Sequence, residues 1–410
     1  MSPLRIVIVG GVAGGMSAAT RARRLNEFAS ITVLDKGGFI SFANCGLPYY
    51  LAGRIEDEEK LLVTTPKKVR DRFNIDARVR QEVTRIDRER KEVEVLDHTS
   101  GESYRLPYDK LILATGASAI VPPVDHVGAP NVFLLRSLED TRAVDRWLKE
   151  RRPTSAVIVG AGFIGLEMAE AMRERGLAVT VIEKAPHVLP PIDAEMATWV
   201  ADELRSHGVR LITGVGLKAL HAQDELLSHV EIEDGQRVPT DMVLLSIGVR
   251  PNVTLAAEAK LAVGASGSIA VDQYQRTSDA DIYAVGDASE IVHGVTGHPA
   301  RIPLAGPANR QGRLAGEHAA TGDAPRAGKL LGTAIVQVFG VTVGVTGLSE
   351  AAARRAGLDV DTAYAIGGHH AGYYPGAKQL RLKLVYENAT GRVLGAQVVG
   401  SDGVDKRIAA

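Results

Sequence analysis

The chain carries one cysteine among its 410 residues, Cys45. No intramolecular disulfide can form, and no cysteine-based metal site is possible. A lone thiol points to a reducing compartment, although such a residue is most often a small buried hydrophobe. Aromatics are few, 7 Phe, 10 Tyr and 2 Trp against 43 Gly, a balance that suits many tight strand-to-helix turns. Neither sign of charge is in excess, with 48 Lys plus Arg facing 49 Asp plus Glu. Composition thus gives no reason to expect nucleic acid or a membrane as partner, and any basic site must be local. No apolar run approaches the roughly 20 residues that span a bilayer. The N-terminus, Met1 to Arg5, passes directly into a strand, leaving no room for a signal peptide. A soluble, cytoplasmic protein is expected. The length implies two or three domains, and an apolar fraction of 45% is enough for large cores.

What the chain does contain is one pattern used twice. Residues 5–9, RIVIV, form an unbroken apolar run, as a parallel strand buried on both faces requires. Glycines at 10–15 turn it into a helix from about residue 17 to 25, and 31–35 is the next strand: a βαβ unit. The pattern returns at 156–159, at Gly160-x-Gly162-x-x-Gly165, in a helix to about residue 175, and in a strand at 179–183. In this second turn Gly160 permits the tight bend, Gly162 lets backbone approach a pyrophosphate, and Gly165 allows helix and strand to pack closely. The helix N-terminus then faces the anion. Glu183 closes the following strand as an acceptor for ribose hydroxyls and disfavours a 2′-phosphate, which favours NADH; the adjacent Lys184 leaves NADPH open. The first turn departs from the strict pattern, with Val12 in place of the second glycine, but Gly11 and Gly14 thin it and Asp35 ends the next strand. Between the two units lie hairpin-like segments at 83–96 and a Pro122-Pro123 crossover. From about residue 328 the texture changes to strands at hairpin spacing, 333–339, 341–346, 380–386 and 393–399, which point to an α+β domain. Residues 403–410 resemble a helix that opens and stops.

Two further segments make a resemblance specific. LILATGA at 111–117 and TSDADIYAVGD at 277–287, with IGVRPN at 247–252, resemble in order the two-dinucleotide-binding flavoproteins. The resemblance implies an α/β protein with two Rossmann-like domains, for FAD and NAD(P), and a C-terminal α+β interface domain. The expected boundaries are 1–118 with 248–325 for FAD, 119–247 for NAD(P), and 328–410 for dimerisation, apparently truncated. It places FAD at Gly10, Gly11, Val12, Ala13, Gly14, Gly15, Asp35, Lys36, Asn44, Cys45, Ala114, Thr115, Gly116, Gly286, Asp287 and Ala305, with Asp287 on the ribityl chain. It places NADH or NADPH at Gly160, Ala161, Gly162, Phe163, Ile164, Gly165, Glu183, Lys184 and Gly248.

The segment 41–50, SFANCGLPYY, carries the sulfur chemistry. Asn44 and Pro48 predict a helix that begins between them, and a thiol at a helix N-terminus has a lowered pKa. Thiolate is the form that attacks a disulfide or persulfide. Dithiol members of the flavoprotein disulfide reductases have a second cysteine close by; here the second sulfur must come from substrate, or Cys45 must cycle through sulfenic acid. The segment resembles the single-cysteine branch: coenzyme A disulfide reductases, their persulfide- and polysulfide-reducing relatives, and NADH oxidases and peroxidases. The oxidases and peroxidases have a histidine where this chain has Ala13, which argues against the peroxidase reading.

Ser17, Arg21 and Arg24 fall on one helix face, where coenzyme A disulfide reductases bind the phosphates of their substrate; the alternative is an ordinary solvated basic face. Lys67, Lys68 and Arg70 extend the expected coenzyme A site, with Ser41, Asn44 and Asn309, the last standing where the family often has histidine. The segment 369–377, HHAGYYPGA, resembles the tyrosine loop of that branch, so Tyr373 or Tyr374 is expected to assist the departing sulfur. His369 and His370 lack a third ligand, and no metal is expected. The sequence therefore predicts a homodimeric, FAD-dependent NAD(P)H reductase of coenzyme A disulfide, coenzyme A persulfide or polysulfide. Some members of the family it resembles append a C-terminal rhodanese domain, and the resemblance extends that expectation to the intact protein. The rivals are an NADH oxidase or peroxidase and, from another class, a flavin-based electron-transfer protein or redox sensor with a structural Cys45.

Overall fold

The computed structural model describes residues 3–409; Met1 and Ser2, at the start of the N-terminal segment, and Ala410, at the end of the expected C-terminal helix, lie outside them. The chain divides into two compact units. One runs to Ala43 and adds Glu58–Ser118 and Val249–Leu330; the other is Asn44–Asp57, Ala119–Gly248 and the chain from Leu331 onward.

The first unit is built on a parallel sheet of five strands in the order Ile282–Ala284, Lys110–Leu113, Arg5–Val9, Ser30–Asp35, Asp76–Val79. Arg5–Val9 lies centrally and is buried from Ile6 to Val9, which explains why its sequence does not alternate. The helix Ala13–Leu25 begins a turn earlier than residue periodicity predicts, because the glycines of the turn are themselves helical. It lies against the helix Ala305–Thr321 at very short range. A Cβ on Gly312 would come within 2.2 Å of the Gly14 carbonyl, and one on Gly316 within 2.3 Å of the Ala18 carbonyl. This approach brings Asn309 onto Ser17, whose hydroxyl donates to the Asn309 side-chain carbonyl at 2.8 Å.

The second unit repeats the design, with parallel strands in the order Arg210–Thr213, Ala178–Glu183, Ser155–Val159, Met242–Leu245, Val132–Phe133. The two turns are equivalent in detail. Gly10 and Gly160 have φ of +102° and +104°, and a Cβ on either would run into a carbonyl of the neighbouring strand's exit, Ala114 or Ser246. A Cβ on Gly15 or Gly165 would strike the carbonyl of Gly10 or Gly160 at under 2 Å. At Gly162, by contrast, a Cβ would have no protein atom within 4 Å. The protein's own packing therefore requires the first and third glycines but not the second, and Val12 can stand in the equivalent place.

The C-terminal part of this unit is an antiparallel sheet ordered Ala334–Val338, Val341–Gly347, Val393–Gly400, Gln379–Glu387, Val360–Gly368. The strand Val360–Gly368 is not apparent from the sequence: beyond Val360 it is largely exposed, so burial imposed no alternation on it. The fold is thus α/β with two Rossmann-like sheets and a C-terminal antiparallel-sheet domain. No helix among the described residues is long and apolar enough to cross a membrane.

Candidate active site

At the first turn three separate segments converge. A Cβ on Gly10 would touch Ala114, which opens the Ala114-Thr115-Gly116 stretch, and one on Gly14 would meet Val285 and the Gly286 amide. The Asp35 carboxylate is set by two amides, accepting from Gly11 N at 2.7 Å and Gly37 N at 2.8 Å. The carboxylate is thereby held in place at the end of its strand, where an acceptor for ribose hydroxyls is expected. Thr115 and Asn252 tie the strand exit together, each donating to the other's backbone carbonyl at 2.8 Å. Gly286 donates to Gln311 at 2.9 Å, and Asp287 follows it half-buried in a single tight helical turn. Ala305 opens its helix, and Lys36 is exposed. These residues fit an adenine dinucleotide: a glycine-thinned turn at a helix N-terminus, with a fixed acid at the end of the next strand.

The second turn has the same equipment. Glu183 accepts from Ala161 N at 2.6 Å and Ala185 N at 2.7 Å, and Phe163 and Ile164 open the helix Phe163–Glu174. Gly248, with φ +112°, packs by Ile120. Lys184 is paired to Glu233 at 3.0 Å.

A cavity of about 690 Å³ opens in the first unit, lined by Ala13, Ser17, Ser41, Lys68 and Asn309 together with Asp71 and Arg72. Ser41 adopts φ +48°, and its backbone is pinned to Gly11 and Val63 by bonds of 2.8 Å. Thr65 caps the short helix Pro66–Phe73, which carries Lys68 and Arg72. Of the basic residues singled out in the sequence, Lys68 lines the cavity. Arg21 does not; its guanidinium is held by Glu317 at 2.7 and 2.9 Å. Arg24 is exposed, Lys67 pairs with Asp71, and Arg70 lies 3.8 Å from Asp76. Arg72 has no distinguishing mark in the sequence, since nothing in a run of alternating Lys, Arg and Asp shows which member turns inward.

In the second unit Cys45 sits exposed in a tight turn, Asn44–Gly46, that leads into the helix Leu47–Ala52. Asn44 donates to the Arg136 carbonyl at 3.2 Å. The expectation of a lowered thiol pKa is corrected here. Crowding around the thiol pushes its pKa up, and Glu167 pushes it further, against smaller opposing effects of its own amide and of Arg136. The helix behind it has only six residues, so little dipole is available to offset this.

Glu167 is a functional-site candidate that the sequence alone does not bring forward. Glu167, Glu170 and Glu174 recur at i, i+3 and i+7 along the helix that packs against Leu47–Ala52. Arg54 binds Glu170 and Glu174. Glu167 is left outside that pairing, and its carboxyl is pushed up to about 7 by burial and by Glu170. Its one signal is a lone acid inside the apolar start of the second-turn helix.

Tyr373 and Tyr374 stand on a loop after Val360–Gly368, 92% and 65% exposed, with His370 edge-on to Tyr374. The one cluster of potential metal ligands among the described residues is Asp193, Glu195 and Glu350, and it includes neither His369 nor His370. That cluster is occupied by the Lys383 ammonium.

Two dinucleotide turns of the Rossmann type and an antiparallel C-terminal domain define an FAD-dependent oxidoreductase of the nicotinamide-linked class. The chain belongs to the pyridine nucleotide-disulphide oxidoreductases: residues 4–312 match that family, and residues 333–410 match its dimerisation domain. Among curated relatives, an NADH oxidase of Methanocaldococcus jannaschii is 33% identical across 99% of this chain and 90% of its own. A coenzyme A disulfide reductase of Staphylococcus aureus is 33% identical across 98% and 90%. Among solved structures, reduced CoADR-RHD of Bacillus anthracis has a TM-score of 0.95 at 43% identity, covering 100% of this chain and 73% of that one. An NAD-dependent persulfide reductase from A. fulgidus gives 0.96 at 39% identity, covering 99% and 75%.

Proposed function

We propose that the protein is an NAD(P)H-dependent reductase of coenzyme A-linked disulfide or persulfide sulfur, acting as a homodimer through the single cysteine Cys45. The observation that carries this reading is an exposed Cys45, the sole sulfur nucleophile of the chain, at the entry of a short helix in a protein of this family. Bound FAD supplies the relay between a nicotinamide hydride and a two-electron reduction of sulfur. Cys45 thiolate attacks one sulfur of a coenzyme A disulfide, forming a mixed disulfide and releasing one coenzyme A thiol. Two electrons and a proton then cleave that bond, returning Cys45 thiolate and the second thiol. With a persulfide, attack on the outer sulfur releases coenzyme A thiol and leaves a Cys45 persulfide, whose reduction gives hydrogen sulfide. Ser17, Ser41, Lys68 and Asn309 would hold the coenzyme A portion, with Arg72 as a further cation. The exposed tyrosine loop suits a role across the dimer.

A second reading, NADH oxidase, is favoured by the name of the M. jannaschii relative; Ala13, where peroxide-handling members have histidine, speaks against it. A substrate panel decides between them. NADH consumption should be driven by coenzyme A disulfide or persulfide well above that with oxygen or peroxide, and should vanish in Cys45→Ser while the flavin is still reduced by NADH. Equal turnover with peroxide, or retained sulfur reduction in Cys45→Ser, would reject the proposal.

A further inference from the structure

Glu233 lies in the turn between the strands Leu226–Ile232 and Arg237–Pro239, far from Glu183 in sequence. The segment 214–216 brings it to the end of the second turn's strand. Gly214 N donates to the Ala185 carbonyl at 2.8 Å, and Val215 N donates to the Glu183 carbonyl at 3.3 Å. Glu233 is then clamped to Gly216 twice: its amide donates to the Gly216 carbonyl at 3.0 Å, and its carboxylate accepts from Gly216 N at 3.0 Å. A Cβ on Gly216 would stand 2.9 Å from the Glu233 carboxylate, so the absent side chain is what lets that carboxylate lie back against the chain. From this fixed position its other oxygen accepts from Lys184 Nζ at 3.0 Å.

Lys184 is the cation next to Glu183, the acid held by the Ala161 and Ala185 amides. In dinucleotide folds a nearby cation is what accommodates a 2′-phosphate. We propose that Glu233 is a second determinant of nicotinamide choice, engaging Lys184 and withholding it from a 2′-phosphate, so that NADH is preferred. The inference rests on the reading of the second turn as the NAD(P)H site. Lys184 and Gly216 together hold the Glu233 carboxyl below the usual carboxylate range, as an engaged ion pair requires.

The test uses FAD-loaded protein and two non-reducing fragments, ADP-ribose and 2′-phospho-ADP-ribose, titrated by calorimetry. Glu233→Gln keeps an acceptor for the Gly216 amide but removes the charge that engages Lys184. It should improve binding of the 2′-phosphorylated fragment relative to ADP-ribose by roughly threefold or more at low salt, the scale of an exposed ion pair. The gain should shrink as salt rises and disappear when Lys184→Ala is combined with Glu233→Gln. A ratio that moves by less than this overturns the proposal, including the case in which a loosened turn weakens both fragments together. A gain that survives in the double variant also overturns it, because Lys184 would then have no part. If the unaltered protein binds neither fragment, the nucleotide reading of the second turn fails and takes this proposal with it, a result distinct from an unchanged ratio.

Discussion

The ammonium of Lys383, fully buried on the strand Gln379–Glu387, is bonded to the carboxylate of Asp193 at 2.9 Å. Asp193 does not cap its own helix; it accepts instead from the Glu350 and Ala351 amides at the start of another. Glu195 and Glu350 complete the set around Lys383, and Gln397 donates to Asp193. One lysine thus fastens the C-terminal sheet to two helix starts within the second unit. Breaking a buried pair leaves uncompensated charge, at a cost of about 3–5 kcal/mol. Lys383→Met should lower the unfolding free energy by that order, seen as a lower denaturant midpoint, and an unchanged unfolding curve would show the cluster to be dispensable.

The same cluster gives a pH dependence. Bonds to Lys383 help hold the carboxyls of Asp193, Glu195 and Glu350 below their ordinary range, against burial that pushes the first two up. Groups with lowered folded pKa contribute stability that is present above the unfolded carboxylate range and lost as pH falls through the folded values. Unfolding monitored from about pH 6 downward should therefore show falling stability at acid pH. Lys383→Met should flatten that slope; an identical slope in the variant would place the acid sensitivity elsewhere.

Glu167 opposes ionisation of Cys45, so removing its charge should make the thiolate easier to form. Because Cys45 is the chain's one cysteine, alkylation by iodoacetamide reports it alone. At about pH 8.5, where the Glu167 carboxyl is ionised, Glu167→Gln should speed alkylation by roughly twofold or more and move its pH profile to lower pH. Glu167→Asp should resemble the unaltered protein. A profile that does not move would detach Glu167 from the thiol.

The double βαβ plan was legible because buried parallel strands must be apolar throughout, and because Gly10 and Gly15, like Gly160 and Gly165, are demanded by carbonyls that a side chain would strike. Asp35 and Glu183 stand at the ends of the strands where the sequence puts them, each answering amides of its own turn. What the sequence hid depends on partners far along the chain. Arg21 has the look of a phosphate clamp, yet Glu317, 296 residues away, holds it. Helix position alone suggests an acidic thiol at Cys45, whereas the neighbour that raises it sits on the second-turn helix. Lys383, unremarked in the sequence, is the most buried charge of its strand because its partners lie on two distant helix starts.

The last prediction concerns which cations serve the cavity of the first unit. Lys68 and Arg72 line it, whereas Arg21 is committed to Glu317 and Arg24 lies exposed. If coenzyme A occupies that cavity, Lys68→Ala with Arg72→Ala should raise the apparent KM for coenzyme A disulfide. Each charge-assisted phosphate contact contributes about 1.5–3 kcal/mol, roughly one to two orders of magnitude in binding. Arg21→Ala with Arg24→Ala should have a smaller effect, since an arginine already satisfied by a carboxylate gains little from a phosphate it does not reach. Added salt should reduce the Lys68 and Arg72 effect, because charges at an open cavity are screened. Inorganic polysulfide has no phosphates, so its KM should hardly change in either variant, and neither should that for NADH. A larger loss in the Arg21 and Arg24 pair would mean that the Glu317 contact opens on substrate binding and that the helix face is the clamp after all. An unchanged KM in both variants would remove coenzyme A from this cavity, leaving its case to Cys45 and the tyrosine loop.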